Sequence, residues 1–524
     1  MKTLIQFILL ASLFVCSCSQ SATIPDTSKT LPLEGISHGM IVLGEKLEDP
    51  YSVENITKAF NSLYPTRSER TDIHPTDLYV RFLPQNEDEY DALLAMGFNI
   101  TDHPLDYRIL QDGDYYHDPA IGEDLITWQY AVVPTDYAFP EGIVYELLDK
   151  CYIHENDRST RSWDGVDWDA VEREAYRLTG NDTSPLTRAE TAAPKGRITI
   201  VDPDANGGKP FGVAGVTVCC NSFVKFAVTK TDRDGYYEMD KTFSSKPRYR
   251  LVFKNAKGFA LGINLVLIPA SVSSFGEADQ TGIDINVTSA DDGALFRRCV
   301  VNNAAYDYYE RCNEEDMDIT APPKDLRIWI MPTLESSSTI MMHHGAFIES
   351  SKLTKYFEDY SKIIKVFLPD MTIGTYGAKD YKTIYLSTVH ELSHASHFSE
   401  VGTDYWDKFI EYIITSFIAS GGTTYGSGQG ENAGYCEVGE MWAYFNESKM
   451  YKERYGGVMP TFGTSYWFRP QILRYIDDRG IGRSKIFRAL KSEVTSKALL
   501  KNKLIELYPS ERSMIEQVFN RYSD

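Results

Sequence analysis

The sequence predicts a multidomain α+β chain, with an N-terminal α+β unit, a β-sandwich in the middle and a mainly helical C-terminal half. Three observations carry this. Its 524 residues divide into three or four domains at ~100 to 200 residues each. Hydrophobic residues make up 43% and charged residues 24% of the chain, close to globular averages, which excludes a disordered or fibrous protein. The hydrophobic pattern also changes along the chain, from mixed, to a period of two, to helical spacing.

Residues 1–17 read as an export signal: Lys2 gives the positive start and Leu4 to Val15 an apolar run too short to span a bilayer. The run ends in Val15-Cys16-Ser17-Cys18, which resembles the lipobox of bacterial lipoproteins. The resemblance implies lipidation at Cys18, with Ser17 at the cleavage position; an ordinary secretory signal is the alternative, and both imply export. Residues 18–34, rich in Ser, Thr and Pro, form a tether. No later segment approaches ~20 uninterrupted apolar residues, so the lipid at Cys18 is the expected membrane anchor.

Lys plus Arg (53) against Asp plus Glu (74) gives −21, and a surface this acidic repels phosphate backbones, which argues against nucleic acid as a partner. An aromatic content of 13% suits both sugar or peptide binding and core filling. Apart from Cys16 and Cys18 the cysteines are Cys151, Cys219, Cys220, Cys299, Cys312 and Cys436. They are too few for a disulfide scaffold, although Cys299 and Cys312 are close enough to pair, and none has the CxxC spacing of a cysteine zinc site.

The N-terminal domain is expected over 35–180. Strand-like runs (Met40 to Leu43, Leu78 to Leu83, Trp128 to Val133) alternate there with helix-like ones (Val53 to Leu63, Glu87 to Met96, Glu141 to Leu148), and Asp164 to Leu178 adds a helix. Thr179 to Lys195 reads as a linker. Over 196–290 short strands, separated by Asp, Gly, Pro and Asn, predict the sandwich, with Asp232-Arg233-Asp234-Gly235 as one turn. The run from Gly196-Arg197-Ile198-Thr199 to Gly235-Tyr236-Tyr237 resembles the carboxypeptidase regulatory-like, or transthyretin-like, module, which implies a non-catalytic spacer or binding accessory. Over 295–524, strand candidates Leu326 to Met331 and Ile363 to Leu368 precede helices at Thr383 to Phe398, Tyr405 to Ala419, Tyr435 to Tyr455, Trp467 to Asp478 and Ser510 to Tyr522.

The chemistry is concentrated in His390-Glu391-Leu392-Ser393-His394-Ala395-Ser396-His397. An HExxH match by composition alone has odds on the order of one in a hundred in a chain this long. No Pro or Gly interrupts Tyr381 to Val401, so the motif sits on a helix. Positions 390 and 394 then lie one above the other, and both imidazoles can reach one metal at ~2.0 to 2.1 Å. Glu391 lies beside that point, where a carboxylate can take a proton from water.

A third protein ligand is needed. His397 lies ~10.5 Å up a straight helix from His390, so three His cannot meet one ion. Metzincins use HExxHxxGxxH, but here position 397 is His and position 400 is Glu. The remaining candidates are carboxylates on a later helix, Glu437 and Glu440, in Glu437-Val438-Gly439-Glu440-Met441-Trp442-Ala443.

These residues make residues 320–450 resemble an HExxH zinc metallopeptidase of gluzincin type, in which Glu440 with Ala443 matches the ExxA pattern. The resemblance implies a zincin-like, mainly helical catalytic domain, with Zn2+ held by His390, His394 and Glu440 and with Glu391 as the base. Glu437 is then a partner for a ligating His N–H or the alternative ligand. Tyr435, Tyr466 and His344 are candidate oxyanion stabilisers, His343-His344 being either cleft lining or an exposed turn. Gly421 to Gly434, with six glycines, reads as a mobile flap. The substrate implied is an extracellular or periplasmic peptide or protein, in a cell envelope (an outer-membrane setting) near nutrient-uptake machinery. A rival reading is a surface-binding lipoprotein for a glycan or protein with a vestigial zincin domain.

Overall fold

The computed structural model describes residue 31 and residues 39–522, apart from 67–71, 124, 160–162, 182–190, 263–271, 291–292, 316, 333, 347–367, 421–424 and 461–465. It is a mixed α/β protein with several sheets. The export signal, Cys18, most of the linker and all but Leu368 of the strand Ile363 to Leu368 lie outside the described residues.

The N-terminal part comprises β1 (Val42–Lys46), α1 (Val53–Leu63), β2 (Asp77–Leu83), α2 (Glu87–Ala95), β3 (Ile100–Thr101), β4 (Tyr107–Gln111), β5 (Gln129–Pro134), β6 (Val144–Cys151) and α3 (Trp168–Leu178). β1 and β4 pair as a ribbon, and the other strands form an antiparallel sheet in the order β3-β5-β2-β6. Both first helices start at capped ends. Ser52 accepts from the Asn55 N–H, and Asn86 accepts from the Glu89 N–H while the Glu89 carboxylate accepts from the Gln85 N–H; each cap contributes about 1 kcal/mol. Ile56, Ala59 and Phe60 of α1 pack on Val171 and Ala175 of α3.

The helix expected at Glu141 to Leu148 is a strand instead, pairing with β2 from Leu83↔Val144 to Asp77↔Cys151. The spacing of Val144, Leu147 and Leu148 imitates a helical stripe. These are apolar residues of an edge strand with a register shift beside Leu148, and Val144, Tyr145, Leu147 and Leu148 all remain exposed.

The middle contains β7 (Lys195–Ile200), β8 (Phe211–Gly212), β9 (Thr217–Ser222), β10 (Lys225–Lys230), β11 (Tyr236–Glu238), β12 (Arg248–Val252), β13 (Ala260–Gly262), β14 (Val272–Glu277) and β15 (Ile285–Val287). One sheet runs β10-β9-β12-β14, and the other runs β11-β7-β15 with β8 beside β7. Alternate residues such as Ile198, Ile200, Val218, Cys220, Leu251 and Ile285 meet in one core, as period-two patterning requires.

β13 belongs to neither of these sheets. It runs parallel to β16 (Arg327–Met331), in a sheet ordered β13-β16-β18-β17 with β17 (Ser338–Thr339) antiparallel to β18 (Met371–Gly374). A single hydrophobic cluster therefore extends from Ile198 to Phe519. At its centre lies α4 (Gly293–Arg311), a helix that the sequence pattern does not mark. Most of its sides are buried, Asn302 and Asn303 included, so it has no polar face to reveal a stripe.

The remaining helices are α5 (Tyr381–Val401), α6 (Thr403–Ser420), α7 (Ala433–Tyr455), α8 (Gln471–Asp477), α9 (Arg483–Phe487), α10 (Lys497–Leu507) and α11 (Arg512–Arg521). The helix expected from Trp467 starts only at Gln471, because Pro470 stands at its N-cap and Arg469 has a positive φ of 50°. All six described cysteines are buried, and Cys299 and Cys312 form no disulfide with each other. No helix among the described residues is long and apolar enough to cross a membrane.

Candidate metal centre

α5 is capped by Asp380, which accepts from the Thr383 N–H at 2.8 Å, and runs unbroken through the HExxH motif. α7 lies across it and is fixed by two buried hydrogen bonds. Trp442 Nε1 donates to the Ser393 carbonyl at 3.0 Å, and Asn446 Nδ2 donates to Ser393 Oγ at 2.8 Å. α6 closes the third side. A Cβ at Gly439 would meet the Phe409 ring at 2.9 Å, so glycine there lets α7 approach α6 beside His394, whose ring stands 5.3 Å from that of Phe409.

This packing brings His390, His394 and Glu440 together, with one ligand atom of each within 4.8 Å of the others. His390 Nε2 stands 3.4 Å from Glu440 Oε2, and His394 Nε2 stands 3.4 Å from Glu440 Oε1. Both separations are long for hydrogen bonds, and Glu440 Oε2 is buried without a hydrogen-bond partner. Three groups that face one point, two imidazole nitrogens and a carboxylate oxygen, form a donor set suited to a divalent transition metal.

The same crowding of charged groups sets their electrostatics. Burial drives the His390 pKa down, but the carboxylates of Glu440 and Glu447 beside the ring outweigh it and raise the group well above its usual range. Burial likewise raises Glu440, yet the His394 charge and the two imidazole contacts hold it at about 2, so it is ionised. Glu391 is raised by burial, and its Oε2 accepts from Thr339 Oγ1 at 2.7 Å. Thr339 lies on the edge strand β17 and is tied to α6 by Trp406 Nε1, which donates to its carbonyl at 3.1 Å.

Glu437 does not partner a ligating histidine. Its carboxylate accepts from the Lys497 N–H at 2.8 Å and pairs with Lys497 Nζ at 3.3 Å, because it lies nearly a turn before Glu440, where α7 passes the start of α10. Glu447 takes that place, its Oε2 lying 3.0 Å from His390 Nδ1, which leaves Nε2 free as a ligand atom. Glu447 is seven residues beyond Glu440 and so on the same helix face; that spacing was the available signal.

The three oxyanion candidates scatter. His344 is held by Asp370 at 3.0 Å and the Lys324 carbonyl at 3.1 Å, and Tyr435 packs its ring on Tyr405. The Tyr466 hydroxyl accepts from Tyr444 at 3.0 Å, and Tyr444 stands 3.1 Å from the Tyr425 hydroxyl. The Tyr444 ring lies 4.5 Å from that of His390. Burial first and the Glu440 charge second push the phenols of Tyr425 and Tyr444 up, so both stay protonated and able to donate.

The described part of the glycine-rich stretch is pinned down. Trp467 Nε1 donates to the Tyr425 carbonyl, Tyr412 accepts from the Gly428 N–H, and a Cβ at Gly428 would meet the Trp467 ring at 2.5 Å. Glu87, Asp91 and His343 form a second convergent group. The Arg327 guanidinium already bonds both carboxylates there, so the group is an ion pair joining α2 to β16.

No family model and no curated protein matches this chain. Among solved structures it is similar to a 9R-lipoxygenase from Cyanothece PCC8801, at 10% identity and a TM-score of 0.12, over 26% of each chain. A likeness of that size carries no argument about fold or activity.

Proposed function

We propose that this chain is a zinc-dependent peptidase, with a zincin-like catalytic domain preceded by an accessory sandwich. The observation that supports it is the convergence of His390, His394 and Glu440 with the buried carboxylate of Glu391 one residue along α5. Zinc, when bound, supplies a Lewis acid that polarises a carbonyl and acidifies water. Glu391 removes the proton from the attacking water and passes it to the leaving amine. Thr339 holds the Glu391 carboxylate in place. Glu447 fixes the tautomer and orientation of His390, and the hydroxyls of Tyr425 and Tyr444, kept protonated by burial, stand beside it.

Digestion of a peptide library by the purified full-length chain, read by mass spectrometry with and without a chelator, tests the reading. Chelator-sensitive cleavage is expected, and an intact library with zinc supplied overturns it. Glu447→Ala is expected to keep the fold and weaken zinc binding by ~10- to 100-fold, as measured by competition with a chromogenic chelator; unchanged affinity would remove Glu447 from the site.

The reading extends to location: an exported lipoprotein anchored through Cys18, working on peptides or proteins near uptake machinery. Cys18→Ala is expected to release the protein from the membrane fraction. Full retention in that fraction would exclude the lipid anchor.

A further inference from the structure

His397 has no role in the metal centre described above, yet it is a histidine with 0% exposure near the C-terminal end of α5. Neither of its ring nitrogens has a hydrogen-bond partner, and neither does His394 Nδ1. The two residues are three apart on one helix and therefore neighbours on its surface. Their rings also share a wall, lying 5.9 Å and 6.0 Å from the ring of Trp406. His390 and His394 are thus supported unequally. The first has Glu447 at its Nδ1; the second turns Nε2 to Glu440 and leaves an N–H at Nδ1 with no protein acceptor.

Buried polar atoms in folded proteins pair with protein or with ordered water, and a buried water bridges groups that cannot meet directly. The two imidazoles form no direct bond, since all three of these nitrogens are unpartnered. Resting on the reading that His394 is a zinc ligand, we propose that His397 is a positioning residue for it, accepting from one buried water that in turn accepts from His394 Nδ1–H. A phenylalanine or leucine would fill the same space against Tyr405 and Trp406 without burying unpaired nitrogens, so packing alone does not account for a histidine here.

The experiment compares full-length wild type, His397→Phe and His397→Gln for zinc affinity and for the melting temperature of the zinc-free protein. Positioning predicts ~10- to 100-fold weaker zinc binding in the Phe variant, an unlowered zinc-free melting temperature, and recovery of most of the affinity in the Gln variant. Wild-type zinc affinity in a folded Phe variant would overturn the proposal while leaving the peptidase reading intact. Wild type that takes up no zinc would overturn both. Should the Phe variant fail to fold, a crystal structure of zinc-loaded wild type decides: a water within ~2.7 to 3.2 Å of both imidazoles supports the bridge, and its absence there refutes it.

Discussion

Glu391→Gln is expected to lower peptide turnover by ~10²- to 10⁴-fold, the usual contribution of a positioned general base, while the protein keeps its zinc. The structure gives reasons for both halves. Glu391 is not among the three groups that converge on one point, so an amide in its place removes no ligand. Thr339 Oγ1 can still donate to the amide oxygen, as it now does to Oε2 at 2.7 Å, so the side chain keeps its place and the fold its packing. What is lost is the proton acceptor. Parallel assays of turnover and of zinc content settle the point. Near-normal turnover with zinc bound would mean that another group takes the proton, and turnover lost together with the metal would mean that Glu391 is structural.

How much could be read in advance depends on the length scale of each feature. The HExxH spacing is local, and a helix with its two imidazoles one turn apart follows from four residues. The carboxylate of Glu440 is also legible, because position and a neighbouring small residue are sequence properties. Thr339 was invisible: it reaches Glu391 from a two-residue edge strand 52 positions away, and no spacing rule links a strand residue to a distant helix. α4 failed for the opposite reason, since a helix buried on most sides has no contrast between faces. β6 misled because its apolar residues are exposed on an edge, where their order imitates a helical stripe. The parallel pairing of β13 with β16 was likewise out of reach. It joins the middle strands to the helical half through one core, and the pattern along a three-residue strand carries no information about its partner.

The second large effect separates the two carboxylates of α7. Glu440→Ala is expected to abolish stoichiometric zinc, with affinity falling by more than about a hundredfold, since loss of a direct ligand must exceed the ~10- to 100-fold cost of losing a supporting group. Two imidazoles then remain, too few protein ligands for a stable zinc site. Glu437→Ala is expected to behave differently. Its carboxylate faces Lys497, accepting from the backbone N–H at the start of α10, where an anion stabilises a helix N-terminus by about 0.3 to 1 kcal/mol. Zinc content and turnover should therefore stay near wild type in Glu437→Ala, while the melting temperature falls slightly. Metal analysis by mass spectrometry, paired with thermal melts of both variants, makes the distinction. Zinc lost from Glu437→Ala but kept by Glu440→Ala would reverse the assignment and require α7 to be shifted along its axis by about one turn relative to α5.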